Sequence, residues 1–413
     1  MKKILFSMAC ACSLAASGAE VHADMSHNLW WNAPEVPVLR LILTDSVASR
    51  GTVSVDVAPD IPGRCGSVKA QFDYVLARPG ASDTLELALP SLQPGFYRCT
   101  VSGDAADSFN IGYEPTNIVS LPDAPADFDE FWAKAKEELA AVPGDFKLTE
   151  LTAKSGKKRK MYLAEMTSLG GERVKMQVAI PVADGKYPVQ IYYNGYGAKP
   201  WELAVDANPN VIEIMASARG QFFSEADNTY GDWIRYNLDK PAEYYYRGAF
   251  MDCIRAIDFA CSLPQADADR IFVEGGSQGG AFTIVAAALD DRVRAAAPYI
   301  PFLNDYRDYF SIVDWPAQPV REQAAKLGMS EEQMFANLRY FDVKNLARRI
   351  KCPVLMGIGL QDPVCPPHTN MASYNLIESP KELVIYPQCG HWVDYGDWNP
   401  RRDAFFAKWG AKK

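Results

Sequence analysis

The chain has 413 residues, too many for one compact domain of common size, so two domains are expected. Its 48% hydrophobic and 23% charged composition excludes general disorder. The formal net charge of −9 excludes nucleic acid and an anionic membrane as the main partner, because both select a positive surface.

In chain order, Lys2 and Lys3 precede an apolar run over 4–16, and small residues follow, ending in Val21-His22-Ala23. This is the pattern of a secretory signal peptide over 1–23, and it predicts a secreted or periplasmic protein. Ala16-Ser17-Gly18-Ala19 is an alternative cleavage site. Cys10 and Cys12 lack a leucine three residues before them, so a lipoprotein is the less favoured outcome. No later stretch reaches the ~20 apolar residues of a membrane span. Seven cysteines remain after the leader, an odd number in no zinc spacing. Cys65 and Cys99 are candidates for a disulfide, with buried free thiols as the other reading.

Short alternating segments at 38–43, 52–57, 72–77, 84–89, 96–101 and 108–113 are separated by turn signals such as Pro59-Asp60 and Pro79-Gly80. They predict an all-β, immunoglobulin-like sandwich domain over 24–118. A proline-punctuated linker over 114–125 leads into residues 119–413. Asp127 is placed to cap a helix at 128–141. Beyond it, strands at 189–193, 211–215, 271–273 and 354–356 alternate with helices at 247–261, 279–289 and 367–377. That alternation predicts an α/β domain with a doubly wound, mainly parallel sheet.

Ile271-Phe272-Val273-Glu274 runs into Gly275-Gly276-Ser277-Gln278-Gly279-Gly280 and then a helical run. This is G-x-S-x-G in the strand, turn and helix context of an α/β-hydrolase nucleophile. A serine needs a base. The histidines are His22, His27, His368 and His391. The first lies in the leader and the second just beyond it. His391 sits in a loop after the strand-like 383–386 near the C-terminus, where this fold places its histidine. His368 follows two prolines and reads as a surface residue. Asp362, in the loop after the strand at 354–358, is the candidate acid that orients His391. Asp394 and Asp397 are competitors, although carboxylates there are more simply solvated. The tetrahedral intermediate needs two N–H donors. Gln278 N–H is one candidate, and Tyr196 N–H, in Asn194-Gly195-Tyr196-Gly197, is the other; the alternative there is an ordinary glycine turn.

Further segments carry a resemblance. They are Ala218-Arg219-Gly220-Gln221, Tyr244-Tyr245-Tyr246-Arg247-Gly248, the Ser277 turn, Gly359-Leu360-Gln361-Asp362 with Cys365-Pro366-Pro367, and the opening Asp127-Phe128-Asp129-Glu130-Phe131-Trp132. From about Pro122 onward the chain resembles the acetyl xylan esterase / cephalosporin C deacetylase family. The resemblance implies Ser277, Asp362 and His391 as triad, Tyr196 and Gln278 as oxyanion donors, and a small acyl pocket walled by Tyr196, Pro301 and Val364. It implies a structural Arg219, an acetylated carbohydrate as substrate, and no metal or organic cofactor. Many members look like ring-shaped hexamers, so the resemblance points to a homo-oligomer, with modification or blocking of that assembly by the added N-terminal sandwich as the alternative. Two departures fall at the expected rim: Trp392 follows His391 where the family usually has Glu, and Asn194 stands where it usually has His. A prolyl-oligopeptidase-like peptidase shares the catalytic fold, but the strands before Pro115 are too few for a propeller. A non-catalytic carbohydrate-binding protein on a hydrolase scaffold is the third reading, against which the intact serine, aspartate and histidine weigh.

Overall fold

The computed structural model describes residues 18–411, so Lys2, Lys3 and the apolar run of the expected leader lie outside the described residues. The chain divides into two units. One holds the described residues up to Pro59 with Gly63–Tyr113; the other holds Asp60–Pro62 with Glu114–Lys413.

The first unit consists of β1 (Glu20–Ala23), β2 (Trp30–Trp31), β3 (Val38–Thr44), β4 (Ser49–Pro59), β5 (Val68–Leu76), β6 (Ser82–Ala88), β7 (Gly95–Gly103) and β8 (Asp107–Tyr113). They form a three-stranded sheet, β1-β3-β6, and a five-stranded sheet, β2-β8-β7-β4-β5. Alternation explains the core: Leu39, Leu41 and Leu43 of β3 and Val53, Val55 and Val57 of β4 are buried. The Tyr97 hydroxyl donates to the Gln93 carbonyl and accepts from its N–H, both at 2.8 Å. Such a tyrosine corner is a hallmark of immunoglobulin-like sandwiches. Cys65 and Cys99 are both free. Cys65 sits in the loop before β5 with its Sγ 3.6 Å from the Tyr97 hydroxyl, whereas Cys99 is buried on β7. β1 pairs with β3 from Glu20 to Ala23 and buries Val21, so the sandwich begins in residues that cleavage after Ala23 would remove.

The second unit is built on β9 (Lys147–Glu150), β10 (Arg159–Thr167), β11 (Arg173–Pro181), β12 (Tyr187–Tyr193), β13 (Ile212–Ala216), β14 (Ala266–Gly276), β15 (Val293–Tyr299), β16 (Val354–Gly359) and β17 (Lys381–Tyr386). Their order is β17-β16-β15-β14-β12-β13-β11-β10-β9. The six strands from β17 to β13 run parallel, and β11, β10 and β9 continue the sheet antiparallel. The helices are α1 (Phe128–Ala140), α2 (Tyr245–Ser262), α3 (Gln278–Leu289), α4 (Tyr306–Ile312), α5 (Ala317–Lys326), α6 (Glu331–Leu338), α7 (Val343–Ala347), α8 (Pro367–Leu376) and α9 (Tyr395–Gly410). α2 and α3 pack against β14, where a Cβ at Gly275 would meet Gly279 of α3, while Phe272 stacks on Phe406 of α9 with ring centroids 4.7 Å apart. This is the doubly wound α/β-hydrolase arrangement, with helices on both faces.

Two local expectations change. Asp127 makes no cap; its carboxylate instead accepts the Tyr340 hydroxyl at 2.6 Å. The segment 114–125 is not a free linker, because Pro115 and Ile118 carbonyls accept from Asn375, Ser120 donates to Asp305, and Asp123 pairs with Asn345. Among the described residues no helix is long and apolar enough to cross a membrane.

Candidate active site

The Ser277 turn joins β14 to α3, and its shape follows from its glycines. Ser277 itself holds φ 58 and ψ −122, a conformation that L-residues rarely adopt. The turn is pinned by Ser277 N–H on the Tyr299 carbonyl at 3.2 Å and by Phe302 N–H on the Ser277 carbonyl at 3.0 Å. A Cβ at Gly279 would collide with the Tyr193 carbonyl at the end of β12, so only glycine lets α3 start this close to the sheet. The serine therefore stands at the N-terminus of a buried helix, where unpaired N–H groups and the helix dipole favour negative charge.

Asp362 lies in the loop after β16 and is 2% exposed. Its Oδ1 accepts the N–H groups of Val364 at 2.8 Å and Cys365 at 2.9 Å. Its Oδ2 lies 2.9 Å from His391 Nδ1. A carboxylate fixed as acceptor sets Nδ1 as the protonated nitrogen and leaves Nε2 free to act as a base. The histidine loop is docked on the aspartate loop: Gln361 N–H donates to the Cys389 carbonyl at 2.9 Å, and the Gln361 amide to the Pro387 carbonyl at 2.8 Å. Cys365 links this pair to the serine, since its N–H binds Asp362 Oδ1 and its thiol lies beside the Ser277 hydroxyl. Burial pushes that thiol well above its ordinary pKa, so it stays protonated and is a neighbour of Ser277, not a rival nucleophile. Ser277, Asp362 and His391 thus converge in one loop cluster.

Around it, Pro301 is buried beside the start of α3, and the Val364 carbonyl accepts the Tyr309 hydroxyl at 2.7 Å. The Tyr196 ring packs edge-on against Trp233, Phe302 and Trp315, and its hydroxyl donates to Asp232 at 2.7 Å. The side chains of Gln221 and Gln278 form a reciprocal amide pair at 3.1 and 3.2 Å. Gln221 Oε1 also accepts Gly197 N–H at 3.2 Å, and its amide donates to the Tyr245 hydroxyl at 2.8 Å. Gln221 therefore ties the loop carrying Tyr196 to the helix start carrying Gln278. Sequence reasoning singled out its neighbour Arg219 and passed over Gln221; a glutamine after a glycine carries no local signal of burial. Arg219 is indeed a brace: its guanidinium grips Asp252 at 2.7 and 2.9 Å and reaches the Leu169 carbonyl at 3.1 Å. Any side chain on Gly248 would strike that guanidinium, which accounts for the glycine in the Tyr-Arg-Gly segment.

Two expectations are corrected. Asn194 is not a rim residue. It is 1% exposed, and its Oδ1 accepts Ala218 N–H at 3.1 Å, so it braces the 218–221 turn. Trp392 does lie at the surface.

His368 is not a surface residue either. Its side chain is fully buried, with Nδ1 3.0 Å from Asp60 and Nε2 3.2 Å from Asp308. Asp305 stands near the same cluster but is paired with Lys344 at 2.7 Å. Burial pulls the His368 pKa down, but the hydrogen bonds to Asp308 and Asp60 outweigh it and push it up to about 9. A raised folded pKa means the stabilisation is complete below the unfolded value of ~6.5 and is lost as pH rises through about 9. Melting temperature is therefore expected to fall between these limits, and to fall less in His368→Gln. Parallel profiles for the two proteins would contradict this.

The sequence model of the family described as Acetyl xylan esterase (AXE1) matches residues 117–408. The chain belongs to the acetyl xylan esterase family. The acetyl esterase Axe7A of Xylanibacter ruminicola is 31% identical over 317 residues, covering 73% of this chain and 72% of that protein. Acetyl xylan esterase 1 from Thermoanaerobacterium sp. JW/SL YS485 superposes with a TM-score of 0.67 and 29% identity, covering 72% of this chain and 98% of that one. The acetyl xylan esterase from Paenibacillus sp. R4 gives the same TM-score of 0.67 and 29% identity, covering 71% and 98%. As a member of the acetyl xylan esterase family, the protein is a carboxylic ester hydrolase of the carbohydrate esterase kind, and the matched region begins just after the sandwich ends at Tyr113.

Proposed function

We propose that this protein is a secreted or periplasmic serine esterase that removes acetyl groups from acetylated xylan or related oligosaccharides. The observation that carries the reading is the hydrogen bond from His391 Nδ1 to a buried Asp362, in the loop cluster that also holds Ser277. In this mechanism Ser277 Oγ attacks the acetyl carbonyl carbon as His391 Nε2 takes its proton. The new oxyanion faces the N–H groups of Tyr196 and Gln278, each such donor contributing about 3 kcal/mol. Collapse breaks the C–O bond to the sugar, and the His391 proton passes to the departing hydroxyl. Water, deprotonated by His391, then attacks the acyl-enzyme and releases acetate. Asp362 holds the imidazole in the required tautomer throughout.

Pro301, Val364 and Tyr196 support a small acyl pocket, since Pro301 is buried against α3 and the Tyr196 ring is walled by Phe302 and Trp315. Half-exposed Trp315 and Trp392 supply aromatic faces for the sugar at its mouth. Turnover of p-nitrophenyl acetate is expected to exceed that of the butyrate ester by about tenfold or more, at 1–3 kcal/mol per excluded methylene. A preference for octanoate, or no acetate from acetylated xylooligosaccharides, would overturn the reading.

The leader is proposed to be cut after Ala19, which leaves β1 intact from its first residue. The mature N-terminus is then Glu20, and intact-mass analysis of the exported protein checks it; a mature chain starting at Asp24 would refute the assignment.

A further inference from the structure

A second cavity lies on the α9 face of the same sheet. Strand register places Gln190, Tyr192, Glu213, Glu274 and Tyr299 on that face. Parallel strands are ordinarily joined by a helical crossover that covers the sheet. The connection between β12 and β13, residues 194–211, forms no helix. The face beneath it is polar where a helix-covered strand would be apolar, and together with Trp201, Leu203, Ala204, Ala207 and Asn208 of the connection it bounds a cavity of about 400 Å³. That volume falls within the range of small-molecule sites.

The chemistry of the walls selects the ligand. The charges are already neutralised: Glu274 pairs with Arg402 at 2.8 Å, and Glu213 pairs with Arg159. The amides of Gln190, Asn208 and Asn399 are each oriented by one hydrogen bond to that network, with Glu274, Glu213 and Arg402, and their second polar atoms line the cavity with two half-exposed aromatic residues, Trp201 and Tyr395. Trp398, also in the lining, is wholly buried, yet its indole Nε1 has no hydrogen-bond partner. The benzo edge of that indole abuts Gly357, which puts the N–H on the other side of the ring. A buried donor left unpaired calls for an acceptor. An uncharged ligand with apolar ring faces and many hydroxyls fits this combination, since aromatic rings offer area with little entropy cost and amides read hydroxyl groups.

We propose that this cavity is a second saccharide-binding site, taking a neutral oligosaccharide chain beside the catalytic loops. Trp201 lies five residues after Tyr196 and Tyr395 four after His391, so the two loops that serve the reaction also shape the cavity. The choice of xylan-type chains rests on the function proposed above; the site itself rests on the cavity.

The test is titration of the full chain with unacetylated xylotetraose, cellotetraose and mannotetraose, followed by calorimetry and tryptophan fluorescence. None of these needs turnover. Saturable binding of at least one tetrasaccharide is expected, weakened at least fivefold by Trp201→Ala and by Tyr395→Ala. Both residues are half-exposed, so both variants are expected to melt close to the parent protein. Binding of cellotetraose or mannotetraose without xylotetraose supports the site and counts against the xylan reading alone. No binding of any tetrasaccharide, or unchanged affinity in both variants, would overturn the proposal. So would a fall in particle mass by light scattering in the variants, which would assign the face to a second copy of the chain.

Discussion

Ser277→Ala is expected to lower kcat by about a million-fold while leaving the fold intact. The size follows from the proposed triad, whose members act as a unit, so that without the nucleophile the base and acid have nothing to activate. The fold survives because alanine meets the same backbone strain at φ 58 that serine does. Only the polar contacts of one hydroxyl, beside the Cys365 thiol, are lost, and a shift of a few degrees at most is expected in melting temperature. Steady-state hydrolysis of p-nitrophenyl acetate and a circular dichroism melt measure the two halves. Residual turnover above about 1% of the parent rate would remove Ser277 from the reaction.

Asp362→Asn is expected to cost about 10⁴-fold in kcat with little change in KM. The asparagine oxygen can still accept from the Val364 and Cys365 N–H groups, so the loop keeps its shape. Its amide NH₂ then faces His391 Nδ1, which must become an acceptor. The proton moves to Nε2, and the imidazole can no longer take one from Ser277. A single-turnover measurement across pH separates this tautomer effect from simple loss of structure. Equal activity in the two proteins would return Asp394 and Asp397 to candidacy.

The parts of the fold that the sequence made legible are those whose physics is local. The valines of β4 and the leucines of β3 alternate because one face is buried, and the glycines at Ser277 announce a turn. β9 carries no such signal, because all four residues from Lys147 to Glu150 are exposed. β1 is hidden by composition, since Glu20–Ala23 read as the end of a leader while Val21 is buried in the sandwich. His368 was misjudged because its partners, Asp60 and Asp308, lie 308 and 60 residues away in sequence, and nothing near Pro366-Pro367-His368 reports them. The pairing of His391 with Asp362 was legible for the opposite reason: four histidines left little choice, and the order of elements supplied the rest. Asn194 and Gln221 were not, because a buried amide looks like a surface one until its partners are seen.

The amide clasp between Gln221 and Gln278 makes the two segments proposed to supply the oxyanion donors one mechanical part. A redesign that swaps only residues 194–197 to admit a longer acyl group would shift the Gly197 N–H that binds the Gln221 carbonyl, the same oxygen that receives the Gln278 amide. It would loosen Gln278 by the same stroke. Substitutions in the three segments are therefore expected to be strongly non-additive. Variants of this esterase are best drawn from libraries in which 194–197, 221 and 278 change together, as a cassette.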